Sequence, residues 1–283
     1  MIQVISANKV YLDYGPMQMT LIAYAEDKGQ SLIDKLQGAA RYGISLLEEL
    51  SLVLPVAKSF PTANNTDIRR LPLPLVYMVE AVRATKDLSL TPMAAVAGTF
   101  ADLVANWLVE RGAAKVIINN GGDIAIRLWG EEMTKIGITP SIGATQLTHL
   151  IELSSRRGIG GVATSGLGGR SFTKGIASSV TVFGQTARIA DSCATLIANH
   201  CYFPDPGIRQ LPADELDPNT DIPGHLVTVE VKNISMTTKL RALERGIAKA
   251  TELRNAGIIH GAIVFIDELV MMIPENVCCG VNK

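Results

Sequence analysis

Three stretches carry residues whose types and spacing could do chemistry. The first is "NNGGD" at 119–123, which interrupts two runs that read as strands. Asn-Gly between apolar strands is a hairpin signal, because both turn positions need positive φ. Bare glycines at 121 and 122 also let a phosphate or a flat ring rest on main-chain N–H groups with no side chain between. A turn at the rim of a cleft could do both. The second is "ADSCAT" at 190–195. Asp191 and Thr195 lie four apart at the start of an expected helix, so both oxygens face one way. The plainer reading is an aspartate compensating the helix dipole in the first turn. The sharper one is a hard-cation site, because Mg²⁺ takes a few protein oxygens and fills its octahedron with phosphate and water.

The third is glycine-dense: Gly158, Gly160, Gly161, Gly166, Gly168 and Gly169 fall within a dozen residues, flanked by Arg156, Arg157, Arg170 and Lys174. A flexible loop with solvated charges is one reading. An anion-binding loop, where amide donors and fixed cations meet a phosphate, is the other. Gly158-x-Gly160-x-x-Ala163 fits a dinucleotide fingerprint in spacing only, because "TSG" follows where the helix should open. His149, His200, His225 and His260 are far apart, form no triad or zinc pattern, and read as structural.

The chain that must position these residues has 283 of them, enough for one large domain or two intimate lobes with a real core. It is 47% hydrophobic and 19% charged, a globular composition, and its net charge of -1 gives no footprint for nucleic acid or an anionic membrane. The N-terminus has no basic head followed by an apolar stretch, and no run approaches the roughly 18 apolar residues of a spanning helix. Cys193, Cys201, Cys278 and Cys279 make no CxxC pair. A reduced, cytoplasmic protein is expected, with Cys193 a buried small hydrophobe.

Strands are expected at 10–13 and 17–25, turned by Gly15-Pro16, then a long helix from Leu32 to about Leu54, stopped by Pro55. After a polar loop, "FPTANNTDIRRLPLP", comes a short helix at 77–85. The clearest helix is "TPMAAVAGTFADLVANWLVERG", with Thr91 as N-cap, Pro92 at its first position and Gly112 as its stop. Strands follow at 115–118 and 124–128, another pair within 135–153, and one at "SSVTVFG". A helix is expected at "ADSCATLIANH", a surface loop at 202–224, a strand at "HLVTVEV", a helix at 236–256 ending at Gly257, and a closing hairpin from "IIHGAIVFI" and "ELVMMIP". This mixture predicts an α+β fold.

The stretches "PMAAVAGTFADLVANWLVERGAAKVIINNGGDIAI", "ATSG" and "SVTVFGQTARIADSCATLIAN" occur in the order found in ApbE-like proteins, the FAD:protein FMN transferases. The chain resembles most an uncharacterised cytoplasmic branch of that superfamily, which shares its "DYGPMQMT", "PADELDPNTDIPGHLVTVEV" and "GIIHGAIV". The resemblance spans nearly the whole chain. It implies a single α+β domain over residues 1–283, of mixed sheets and long packed helices, with a ligand cleft between two lobes. It also implies FAD in that cleft and Mg²⁺ between the pyrophosphate and Asp191 with Thr195, the catalytic and metal candidates. Asn120, Gly121, Gly122 and Asp123 would line the flavin side, with Thr164, Ser165 and Gly166 nearby. In the transferases FMN passes to a threonine of an acceptor flavoprotein, and AMP leaves. The chain departs from that pattern twice. It has Ala97-Gly98 where transferases have Lys-Gly, and "RSFTKGIASS" where they have His-x-x-Asp-Pro. Arg170 or Lys174 would then supply the missing charge. Two rivals stand beside FMN transfer: a redox or hydrolytic enzyme of small-molecule catabolism using the same cleft, and a non-catalytic ligand-binding protein. A homodimer stays open.

Overall fold

The computed structural model describes residues 1–27, 30–60 and 70–281. In chain order its first half comprises β1 (Ile2–Ser6), β2 (Lys9–Tyr14), β3 (Met17–Ala25), α1 (Ile33–Ser51), α2 (Leu54–Ala57), α3 (Leu73–Ala84), α4 (Val96–Val109), β4 (Ala113–Asn120) and β5 (Asp123–Leu128). Then come β6 (Met133–Ile138), β7 (His149–Ser154), β8 (Gly161–Ser165), β9 (Ser179–Gly184) and α5 (Ala187–His200). The chain closes with β10 (Ile208–Pro212), α6 (Ala213–Leu216), β11 (Leu226–Val231), α7 (Met236–Asn255), β12 (Ile259–Ile266), β13 (Leu269–Ile273) and β14 (Cys279–Gly280). The fold is α+β, as expected. It divides into two compact units, each assembled from separated stretches: 1–134, 153–163 and 184–191 in one, 135–152, 164–183 and 192–283 in the other.

In the first unit β1 to β5 form an antiparallel meander, and residues 161 and 162 of β8 pair with β5 beyond it. Alternation decides which face is covered. Along β3, Met17, Met19, Leu21, Ala23 and Ala25 are buried and the residues between them are more open. Their register partners Val116, Ile118 and Asn120 on β4 share that face. Leu36, Ala39, Ala40, Leu46 and Leu50 of α1 and Phe100, Ala101, Val104 and Leu108 of α4 fill the core above it. Helix α4 is buried on almost every side from Gly98 to Ala105. Contrary to the expectation that no run approaches a spanning helix, the segment 92–109 is apolar and long enough to cross a membrane, with mean hydropathy 1.3, yet here it is mostly buried as a core helix.

Several expected boundaries moved. Helix α1 ends at Ser51, and Pro55 opens the short α2 in place of stopping a longer helix, as suits a proline whose missing N–H is unneeded in a first turn. Residues 92–95 form a 3-10 turn before α4, and Thr91 makes no side-chain cap. Helix α3 begins four residues before the expected Tyr77. The polar loop before it falls largely on 61–69, outside the described residues. Strand β1 was not expected, because its exposed, weakly alternating "IQVIS" carries little signal.

In the second unit β9, β12 and β13 are neighbours in one sheet, β6 and β7 pair with β14, and β10 pairs with β11. The expected loop at 202–224 therefore holds a strand and a turn of helix. Strand β9 is buried throughout. Gly246 on α7 faces Cys201 so closely that a Cβ would meet its sulfur. Burial pushes the Cys201 thiol up to about 12.

Glycines at 98, 160 and 161 answer one question about the glycine-dense segment. A Cβ at Gly98 would fall on the carbonyl oxygen of Ala187, at Gly160 on that of Gln185, and at Gly161 on the backbone N–H of Ala187. All three are bare because one backbone, at the entry to α5, passes against them. Gly122 is bare for another reason: it has φ +113 and open space around it. Two substitutions separate these causes. Gly98→Ala should destabilise the protein by roughly 3 kcal/mol, because backbone on both sides must shift. Gly122→Ala should cost about 1 kcal/mol from the positive φ alone. Urea denaturation of both variants checks the order, and a larger loss at Gly122 would contradict it.

Candidate functional site

The hairpin between β4 and β5 pairs Asn120 with Asp123 across a two-residue loop, Gly121 at φ +68 and Gly122 at φ +113. Both loop glycines have the positive φ that a primed turn needs. The Gly122 N–H donates to Asn119 Oδ1 at 2.9 Å, and Asn120 Nδ2 donates to the Ala97 carbonyl at 3.1 Å. Register then fixes what β5 presents. Asp123, Ala125 and Arg127 pair with Asn120, Ile118 and Val116, so the polar face of β5 is the one covered by helices. Ile124, Ile126 and Leu128 take the other face.

Each charged residue of that face meets a carboxylate on a helix. Asp102, in the middle of α4, is fully buried. It accepts from Arg127 Nη2 at 2.8 Å, from Arg188 Nη1 at 3.2 Å, and from the backbone N–H groups of Ala187 at 3.1 Å and Arg188 at 3.0 Å. Those last two are the first orphan donors of α5, so Asp102 caps that helix from another element. The favour is returned. Asp191 on α5 accepts from the Gly98 N–H at 2.9 Å, and the Ala97 N–H also bonds its carboxylate. Ala97 and Gly98 lie in the first turn of α4, where Ala95 offers no side-chain cap.

Asp191 lies in the second turn of α5, because the helix starts at Ala187. First-turn dipole compensation, the plainer expectation, therefore does not describe it. Its pKa is well above the ordinary carboxylate range, first through burial and next through the charge of Asp123, against which the Gly98 and Ala97 N–H bonds pull it down. A hard cation would relieve that repulsion, and the Asp191 carboxylate offers oxygen donors to one. Among the described residues no group of three or more His, Cys, Asp and Glu side chains converges as a metal cage.

Of the predicted residues, the first unit brings together Asn120, Gly121, Gly122, Asp123 and Asp191. Thr164, Ser165, Gly166, Arg170, Lys174 and Thr195 belong to the second. There Thr164 Oγ1 shares a hydrogen bond with Thr181 Oγ1 at 2.8 Å. Residues 161–165, expected within a loop, are strand β8. Lys174 Nζ lies 3.1 Å from His225 Nδ1, and its backbone N–H donates to Asn199 Oδ1. His225 was expected to be merely structural, and spacing alone could not have paired residues 51 apart. Asp102 was missed as well, although a lone acid inside the apolar "GTFADLVANW" was a usable signal, because an unpaired buried carboxylate is too costly to leave in a core. The His225 pKa is lowered by burial first and by Lys174 second, while Asp221 raises it. Lys174→Met should therefore raise the His225 pKa yet leave it below 6.5, its ordinary value. An NMR titration of the imidazole carbons reads this, and no change would remove Lys174 as a cause.

The solved structures that share this fold include the apo flavinyl transferase ApbE of Pseudomonas stutzeri, with 13% identity and TM-score 0.53, covering 97% of this chain and 96% of that one. They also include the ApbE protein of Thermotoga maritima, with 11% identity and TM-score 0.50, covering 96% of each chain. At such identities the likeness is one of fold. Sequence relatives include UPF0280 proteins of Methanococcus maripaludis strain C7, 40% identical over 111 residues, and of Methanothermobacter thermautotrophicus, 40% identical over 127. These matches span 38% and 44% of this chain and 44% and 47% of the relatives, so under half of each relative's length is matched. The family model described as AbpE bacteria matches residues 3–274, and the chain belongs to that ApbE-like family.

Proposed function

We propose that the protein binds FAD, or a similar phosphorylated cofactor, together with Mg²⁺ held by Asp191 and Thr195, and that its reaction class is FMN transfer to a threonine of an acceptor protein. One observation carries this reading: the Asp191 carboxyl, its pKa raised by burial and by Asp123 beside the Gly121–Gly122 turn. A buried carboxyl beside like charge, next to bare main chain, suits a site completed by a cation and a phosphorylated ligand. The flavinyl transferase of Pseudomonas stutzeri, which has the same fold, points the same way. The remaining contacts expected from the resemblance are Asn120, Thr164, Ser165, Gly166, Arg170 and Lys174.

Bound Mg²⁺ would neutralise charge on the pyrophosphate and make its phosphorus electrophilic. In the transfer, the acceptor's hydroxyl oxygen bonds to the FMN phosphorus and the bond to the bridging oxygen breaks. AMP departs with that oxygen, and the hydroxyl proton is released to solvent. The chain's own residues orient and hold. The Gly98 and Ala97 N–H groups fix one edge of the Asp191 carboxylate, and the tight turn holds Asp123 against it. Ala97 places a methyl group where transferases carry a lysine, which favours the second reading, a redox or hydrolytic step on a small metabolite in the same site.

Titrating FAD with and without Mg²⁺, into wild type and Asp191→Ala, tests the site. Mg²⁺ should tighten FAD binding at least tenfold in wild type and leave the variant unchanged. Equal affinity in all four titrations would reduce Asp191 to a helix cap. Incubation with FAD, Mg²⁺ and an acceptor flavoprotein domain, followed by intact mass, tests the reaction. Each lost preorganised contact costs about 10²–10³ in rate, so the lysine and histidine departures predict slow transfer. Rapid addition of one FMN would show both groups dispensable. FAD binding without any addition would select the small-metabolite reading.

A further inference from the structure

The first unit contains a concavity that the proposed flavin site does not use. It has a volume of about 700 Å³, within the range of small-molecule sites, and it opens at the far end of β5 from the Gly121–Gly122 turn. Asn120, Asp123 and Asp191 are not among its lining residues. Arg127, Arg188, Thr186, Trp129 and Glu26 are.

The two arginines differ in what they have left to give. Arg127 is engaged at every nitrogen: Nε on Asn106, Nη1 on the Ile126 and Gly160 carbonyls, and Nη2 on Asp102. Arg188 donates one side-chain N–H, to Asp102, and its guanidinium stacks 4.5 Å from the centroid of the Tyr77 ring. Its other side-chain N–H donors meet no partner among the described residues, although a guanidinium carries five in a fixed fork. The side chain is 21% exposed, which leaves it reachable but shielded. Asp102 and Tyr77 therefore hold a cationic fork in place without consuming it.

The residue before α5 gives a second, independent sign. Thr186 occupies the position from which a threonine ordinarily caps a helix. Asp102 has taken that role, and the Thr186 hydroxyl oxygen is buried with no hydrogen-bond partner. A buried hydroxyl without a partner costs free energy, and a ligand in the cavity it lines could satisfy it. At the rim, Trp129 is 73% exposed, a flat apolar surface kept in water. Glu26, the carboxylate of the lining, is exposed and solvated.

We propose that this cavity binds small planar anions, aromatic or heteroaromatic carboxylates or phosphates. The anionic group would take the Arg188 fork and the Thr186 hydroxyl, and the ring would stack on Trp129. This does not rest on the proposed flavin site.

The test uses the full chain, ¹⁵N-labelled, with phenyl phosphate and benzoate as probes. Phenol and inorganic phosphate serve as the ring and the anion alone. The chain has two tryptophans, so the Trp129 indole signal is assigned by Trp129→Phe. Phenyl phosphate or benzoate should move that signal and saturate, and whichever is tighter identifies the anion class. The separate halves should need at least tenfold more. Binding to the variants is read by isothermal titration calorimetry, which needs no indole: Trp129→Ala should weaken it about tenfold, the factor one stacked ring is worth, and Arg188→Met should weaken it more. Thr186→Val should weaken binding while leaving the melting temperature unchanged or higher. Trp129 is exposed, so its variant keeps the test valid even if Arg188→Met folds poorly. The proposal fails if neither probe moves the Trp129 signal, if binding is unchanged in Trp129→Ala, or if binding is lost in Asp191→Ala yet intact in Trp129→Ala.

Discussion

Two helices of the first unit hold each other's open ends. Asp102 on α4 accepts the first N–H groups of α5, and Asp191 on α5 accepts first-turn N–H groups of α4. Each helix end would otherwise present unpaired donors inside the protein, at a cost comparable to a lost hydrogen bond apiece. This exchange demands near-contact of two backbones, which explains Gly98, Gly160 and Gly161 together. It also demands counter-charge for a carboxylate with no solvent access, which explains why Arg127 and Arg188 converge on Asp102. Breaking a buried pair from one side costs more than the pair contributes when intact, so these residues stand or fall as a set.

The two carboxylates differ in consequence. Asp102 is surrounded by four donors. Asp191 receives backbone N–H groups on one side and faces the negative charge of Asp123 on the other. The same fold thus surrounds one buried carboxylate with donors and sets the other beside like charge. The difference comes from β5, whose period of two presents Asp123 and Arg127 to the helices from the same face, two pleats apart.

The sequence showed the strands flanking "NNGGD", the helices α5 and α7, the closing hairpin and the α+β class, because each rests on local periodicity or on punctuation by Gly and Pro. Asp123 and Asp191 were legible as parts of separate motifs. Their electrostatic coupling was not, since it depends on parity along β5 and on where α5 enters. The glycine-dense segment was misjudged in part: Gly160 and Gly161 are spaced for a passing backbone, which looks identical in sequence to spacing for an anion. Lys174 and His225 meet only because β11 returns beside the segment before β9, a pairing across 51 residues that no local pattern encodes.

The first unit is completed by residues 184–191, long after its sheet has been synthesised. When the ribosome has delivered only the first 134 residues, the nascent chain already contains Asp102, Arg127 and the bare face of Gly98, but neither Arg188 nor the α5 donors. During vectorial synthesis the apolar α4 must therefore wait with a carboxylate it cannot yet bury. The core can close only after about fifty further residues emerge, and the stretches 135–152 and 164–183 of the second unit appear in that interval. Such interleaving ties completion of the first unit to one late event, the arrival of the start of α5. It leaves no point between residues 134 and 184 at which the chain could be cut into self-sufficient pieces.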